Sequence, residues 1–92
     1  MLADSGMGAK RVSPESVERF IWTTHAEERR ASRLLDRAAL EQAIRHGHSE
    51  RMINRGKADW RVDGLLADGR HFVVVYDHPN RVTARIVSVW DY

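Results

Sequence analysis

Hydrophobic and polar positions change their rhythm once along this chain, close to residue 60. Ahead of that point Leu40, Ala43 and Ile44 fall three and four apart, the stripe of a half-buried helix. Asp36 is its expected cap, giving a helix over Arg37 to His46, with Gly47 expected as a left-handed terminator. Just upstream, Thr24-His25-Ala26-Glu27 has the grammar of a capping box: the threonine side chain accepts from the Glu27 amide and the glutamate reaches back to the threonine. A first helix is therefore expected from Thr24 to about Leu34. Ser13-Pro14-Glu15 suggests one helical turn, and Phe20-Ile21-Trp22 a short strand.

After residue 60 the pattern is that of strands. Trp60 to Leu66 leads through Ala67-Asp68-Gly69 into Arg70 to Tyr76, and Asp-Gly is a strong hairpin signal. Asp77-His78-Pro79-Asn80 reads as the next turn, and Arg81 to Trp90, rich in Val, Ile and Thr, as the last strand. Alternation puts Trp60 and Val62 on one face with Arg61, Asp63 and Leu65 on the other. On the following strand, Phe72, Val74 and Tyr76 oppose His71, Val73 and Val75. Both sets are largely apolar, as a central strand requires. The stretch from His48 to Lys57 is an edge strand around Met52-Ile53 or a loop. These elements predict one α+β domain over 13–92, with helices packed on a small antiparallel meander of three to four strands, preceded by a flexible arm over 1–12.

Length sharpens this picture. Ninety-two residues bury only about 60–65% of their unfolded surface, so a shallow groove or a sheet face is expected instead of a deep cavity, and such a site suits a polymer. There is no cysteine, hence no disulfide, thiolate nucleophile or cysteine zinc site. No apolar run is long enough to span a membrane, and residues 1–10 lack the pattern of a secretory signal, so a cytoplasmic protein is expected.

The net charge of +2 is unevenly spread. Arg19 to Arg61 holds ten basic residues against six acidic ones, and thirteen of the chain's fifteen cations are arginine, whose planar fork suits bidentate phosphate contacts. His25, Arg29 and Arg33 lie four apart and share one helix face. Two guanidiniums to hold a phosphodiester, beside an imidazole to move a proton, is the arrangement that RNA cleavage needs; the same spacing also serves a plain solvated face. His46 and His48 straddle the helix stop without a supporting carboxylate or cysteine set, which argues against a metal site. No Gly-rich phosphate loop is present, and no cofactor is expected. Trp22, Trp60 and Trp90 suit core filling or base stacking.

The run Thr24-His25-Ala26 with Arg29 and Arg33, then Gly47, Gly69, Phe72-Val73-Val74-Val75 and Ile86-Val87-Ser88-Val89, resembles the bacterial family catalogued as domain of unknown function 4258. That family opens on T-x-H-A-x-x-R and closes on an apolar hairpin. Ser88 and Trp90 depart from the threonine and tyrosine common there. The family's layout is similar to that of the RelE and BrnT toxins and of barnase-like nucleases, which implies a metal-independent ribonuclease acting through 2′-hydroxyl attack. On that resemblance His25 is the general base or acid, His71 its complement, Arg29 and Arg61 hold phosphate, and Arg33 and Tyr76 are outer substrate contacts. RNA and an acidic antitoxin or immunity protein would be the partners. The competing expectation is a non-catalytic module that binds nucleic acid or protein with the same basic face.

Overall fold

Arg19–Trp22 forms β1, and the chain then turns straight into α1 (Thr24–Ser32) and α2 (Arg37–His46) before four further strands: β2 (Glu50–Arg51), β3 (Trp60–Leu65), β4 (His71–Asn80) and β5 (Thr83–Asp91). The computed structural model describes residues 17–52 and 60–92. The expected arm over 1–12 and the turn at 13–15 lie outside the described residues. The strands form one sheet in the order β1-β5-β4-β3-β2. The α+β class holds, but among the described residues the sheet has five strands and is mixed: β1 pairs parallel with β5, and every other neighbour is antiparallel. The strand expected at Phe20-Ile21-Trp22 is present in β1; of the alternatives for 48–57, a two-residue strand lies at Glu50–Arg51, Met52 is outside it, and Ile53 lies outside the described residues.

Register fixes the two faces. Val62, Phe72, Val74, Tyr76, Ile86 and Val89 line the covered face and pack with Ala26, Leu35, Leu40 and Ile44 from the helical segment into one core. β4 is the middle strand; on its other face Val73 is as buried as Val74, Val75 is half-buried and His71 is exposed.

Several local expectations are corrected. The cap of α1 is Thr23, not Thr24: its Oγ1 accepts from the Ala26 amide at 3.2 Å and donates to the Ile86 carbonyl at 2.9 Å, tying the start of α1 to β5. The residue three beyond this cap is Ala26, so there is no reciprocal capping box. Glu27 instead accepts from Arg30 and Arg37. α1 stops at Ser32 because Leu34 adopts φ 56°, and the Leu35 and Leu34 amides then reach back to the carbonyls of Arg30 and Ala31. These are the two bonds of a Schellman motif, with leucine where glycine is usual.

Asp36 caps α2 as expected, accepting from Ala39 at 3.1 Å, but Gly47 has φ −83° and is no left-handed terminator. A Cβ there would lie 2.5 Å from the Ala43 carbonyl oxygen and 3.0 Å from Val62, so the glycine answers a close approach of α2 to β3. Gly69, at φ 95°, is the residue whose conformation favours glycine. The supposed turn at Asp77–Asn80 belongs to β4, and the chain turns at Arg81 and Val82. Asp77 is 6% exposed and sits across from Arg85, which donates to both its oxygens at 3.1 and 2.7 Å. Pro79 lies past the last described pair of β3 with β4, Trp60 with Tyr76, where a residue without an amide proton is tolerated if that side carries no ladder bonds.

Candidate functional site on the open sheet face

Both helices lie on one side of the sheet, which divides the predicted catalytic set. His25 and Arg29 sit on α1, on the helical side, His25 exposed and Arg29 half-buried. Arg33, the C-cap of α1, is ion-paired with Asp91 at 3.2 Å. Arg61 and His71 occupy the opposite face, with Asp63, Val73, Val75 and Trp90. Among the described residues no helix covers that face. Tyr76, expected as an outer substrate contact, is fully buried in the core; its hydroxyl donates to Ser49 at 2.7 Å, and burial raises its pKa. Its place on β4 follows from the same alternation that buries Phe72 and Val74.

Two residues that sequence reasoning did not single out stand in line between Arg61 and His71. Four residues of β3 separate the level of Arg61 from that of His71, about 13 Å along the strand. The Arg61 side chain bends back over half of that distance: Nε donates to Asp63 Oδ1 at 3.0 Å and Nη2 reaches Oδ2 at 3.4 Å. Tyr92 closes the remaining gap. Its hydroxyl donates to Asp63 Oδ2 at 2.8 Å, and its ring stacks on His71 with centroids 5.4 Å apart and planes 23° apart. The Tyr92 amide also donates to the His71 carbonyl at 2.9 Å. The guanidinium and the imidazole are thus held in a row, Arg61–Asp63–Tyr92–His71. The electrostatics agree: hydrogen bonding from Arg61 lowers the Asp63 carboxyl, and Asp63 in turn raises the pKa of Tyr92, which stays a donor.

Beside this row is an open recess of about 420 Å³, lined by His48, Glu50, Arg61 and Asp63. Glu50 stands directly across from Arg61 in register, yet Arg61 pairs with Asp63, and Glu50 has no hydrogen-bond or ion-pair partner among the described residues. The recess therefore offers a carboxylate, an imidazole and a guanidinium whose Nη1 carries no hydrogen bond among the described residues. The sequence signal was available: Arg61 and Asp63 are two apart on one strand and must share a face. What sequence could not supply was the placement of Glu50 and His48, which depends on a two-residue edge strand.

The described residues hold no group of three or more His, Asp or Glu side chains fit to bind a metal ion, and none of their helices is long and apolar enough to cross a membrane. No family model, curated protein or solved structure matches this chain.

Proposed function

We propose that this protein is a metal-independent ribonuclease whose substrate lies across the open sheet face. The observation that carries the reading is that His48, Glu50 and Arg61 line one recess on the face that also holds His71, with Asp63 and Tyr92 standing in a row between Arg61 and His71. In this reading His48 or Glu50 takes the proton of a ribose 2′-hydroxyl, whose oxygen attacks the adjacent phosphorus. Arg61 stabilises the charge gathering on the phosphoryl oxygens, and His71 gives a proton to the departing 5′-oxygen. The products are a 2′,3′-cyclic phosphate and a 5′-hydroxyl. The T-x-H-A-x-x-R resemblance supports the same chemistry but points to His25 and Arg29, which lie on the other side of the sheet. A toxin of this kind would be masked by an acidic antitoxin.

The second reading is a non-catalytic binding module, and the division of His25 and Arg29 from Arg61 and His71 is what favours it. One assay separates the two. Purified protein is incubated with RNA and a chelator, with and without ribosomes. Cleavage is expected to fall about 10²–10⁴-fold on His71→Ala, the usual contribution of a positioned acid or base. RNA left intact by the wild-type protein under all these conditions rules out the enzyme reading.

A further inference from the structure

Tyr92 is 64% exposed, yet its ring is fixed more firmly than exposure alone would allow. One ring face rests on His71, the hydroxyl is bonded to Asp63, and the backbone amide is bonded to the His71 carbonyl. A surface tyrosine usually loses rotamer freedom when it stacks on a ligand; here that ordering is already in place. The ring also stands next to the recess that holds Glu50 and Arg61, linked to it through Asp63.

We infer that Tyr92 is a stacking platform for an unpaired nucleobase, and that the substrate of the proposed ribonuclease is single-stranded RNA. The inference rests on that reading for the RNA but not for the chemistry. A base laid on Tyr92 extends the His71–Tyr92 stack by one ring and brings its own ribose and phosphate to the Arg61 recess. Paired bases cannot reach it, because their faces are taken by neighbours in the helix. Stacking tolerates any base, so the platform selects strand state over sequence.

The test uses binding, independent of cleavage. Fluorescein-labelled hexanucleotides carrying 2′-O-methyl on every ribose cannot undergo 2′-hydroxyl attack, so their anisotropy reports affinity alone. Tyr92→Leu is expected to weaken binding of the single strand about 5- to 150-fold, the range measured for removing one base–aromatic stack. Tyr92→Phe, which keeps the ring and loses only the bond to Asp63, should stay within about 3-fold of wild type. An oligonucleotide with abasic sites should bind wild-type protein as weakly as the intact strand binds Tyr92→Leu, and the leucine variant should then lose nothing further. The salt dependence should be the same for both proteins, since no phosphate contact is removed. Equal affinity of Tyr92→Leu and wild type for the intact strand overturns the inference. So does equal or tighter binding of the matching duplex, or no binding of the single strand at millimolar concentration. Failure to cleave natural RNA, with this pattern of binding intact, removes the ribonuclease and keeps the platform; cleavage without the pattern does the reverse.

Discussion

Replacing Arg70 by methionine should cost this fold more than the loss of any other single cation on its surface. Arg70 follows the Asp68-Gly69 turn, and its guanidinium binds four acceptors on three separate parts of the chain. It donates to the carbonyls of Arg33 at 2.8 Å and Leu34 at 2.9 Å, to Asp91 at 3.2 Å and to Asp68 at 2.9 Å. The two carbonyls belong to the C-terminal end of α1, where backbone acceptors have no helical partner and a cation also meets the negative end of the helix dipole. Asp91 lies in the last strand and also takes Arg33. One side chain thus clasps the helix end, the hairpin turn and β5.

The ion pairs alone would contribute little, because exposed pairs have a median value near 0–1 kcal/mol. The carbonyl bonds matter more. Charge-assisted bonds contribute about 1.5–3 kcal/mol each when sheltered, and the Arg70 side chain is a third exposed, so about 1 kcal/mol for each is the better figure. Together with Asp91 the loss comes to about 2–3 kcal/mol, or a fall in Tm of about 10–20 °C for a domain of this size. Methionine keeps most of the aliphatic stem, so the loss reads the guanidinium. Lysine has one point of charge where four acceptors are spread out, and should recover less than half. Urea unfolding with a shared m-value is the assay, with Arg81→Met as the control, since Arg81 is exposed and has no bond among the described residues. If Arg70→Met unfolds within about 0.5 kcal/mol of that control, the clasp contributes nothing and the reasoning is wrong.

Gly64→Ala should destabilise strongly, by about 1–3 kcal/mol or more, because the new Cβ would lie 2.3 Å from the tip of the buried Phe72 ring; chemical denaturation measures it. Gly69→Ala meets nothing within 4 Å and should cost only about 1 kcal/mol through its φ of 95°, so reversed ranks would contradict the steric account. The Asp63 carboxyl is held below its ordinary value by Arg61, so its contribution to stability is present above that ordinary value and lost as pH falls through the depressed one. Arg61→Ala should move its titration back up in carboxyl-detected NMR, and an unchanged midpoint would show that the ion pair is absent in solution. If RNA binds on the open face, Arg61→Ala should also reduce the slope of log affinity against log salt by about 0.7, the value of one single-strand phosphate contact.

Most of the fold was written in local signals. Asp36 before an apolar 3–4 stripe gave α2, and Asp68-Gly69 between alternating runs gave the β3–β4 hairpin, because in both places short-range chemistry and the buried face agree. The errors fall where a distant segment decides. Thr23 and Thr24 are equivalent as caps until the Ile86 carbonyl chooses between them. Gly47 looks like a terminator until Val62 is seen to press on it. Asp77 looks like a turn residue, since a carboxylate in mid-strand is costly, until Arg85 arrives from the next strand to neutralise it.

The same blindness shaped the functional reading. Counting cations along the chain makes the helical half look like a phosphate-binding face, yet three of the arginines on or beside its helices are answered by carboxylates: Arg30 and Arg37 by Glu27, and Arg33 by Asp91. Charge density in sequence measures composition, whereas a ligand meets only what pairing leaves over. On the open face the same subtraction has the opposite result. Asp63 occupies Arg61 in part and fixes where it stands, while Glu50, its register partner, forms no hydrogen bond or ion pair among the described residues. A carboxylate standing across from the guanidinium would offset much of the guanidinium's pull on a passive anion. Such a pairing is therefore a poor design for affinity and a good one for moving a proton next to a phosphate. This is why weak, shallowly salt-dependent RNA binding together with measurable cleavage would fit the site, and why tight, steeply salt-dependent binding without cleavage would place the interaction on the α1 side, with His25 and Arg29.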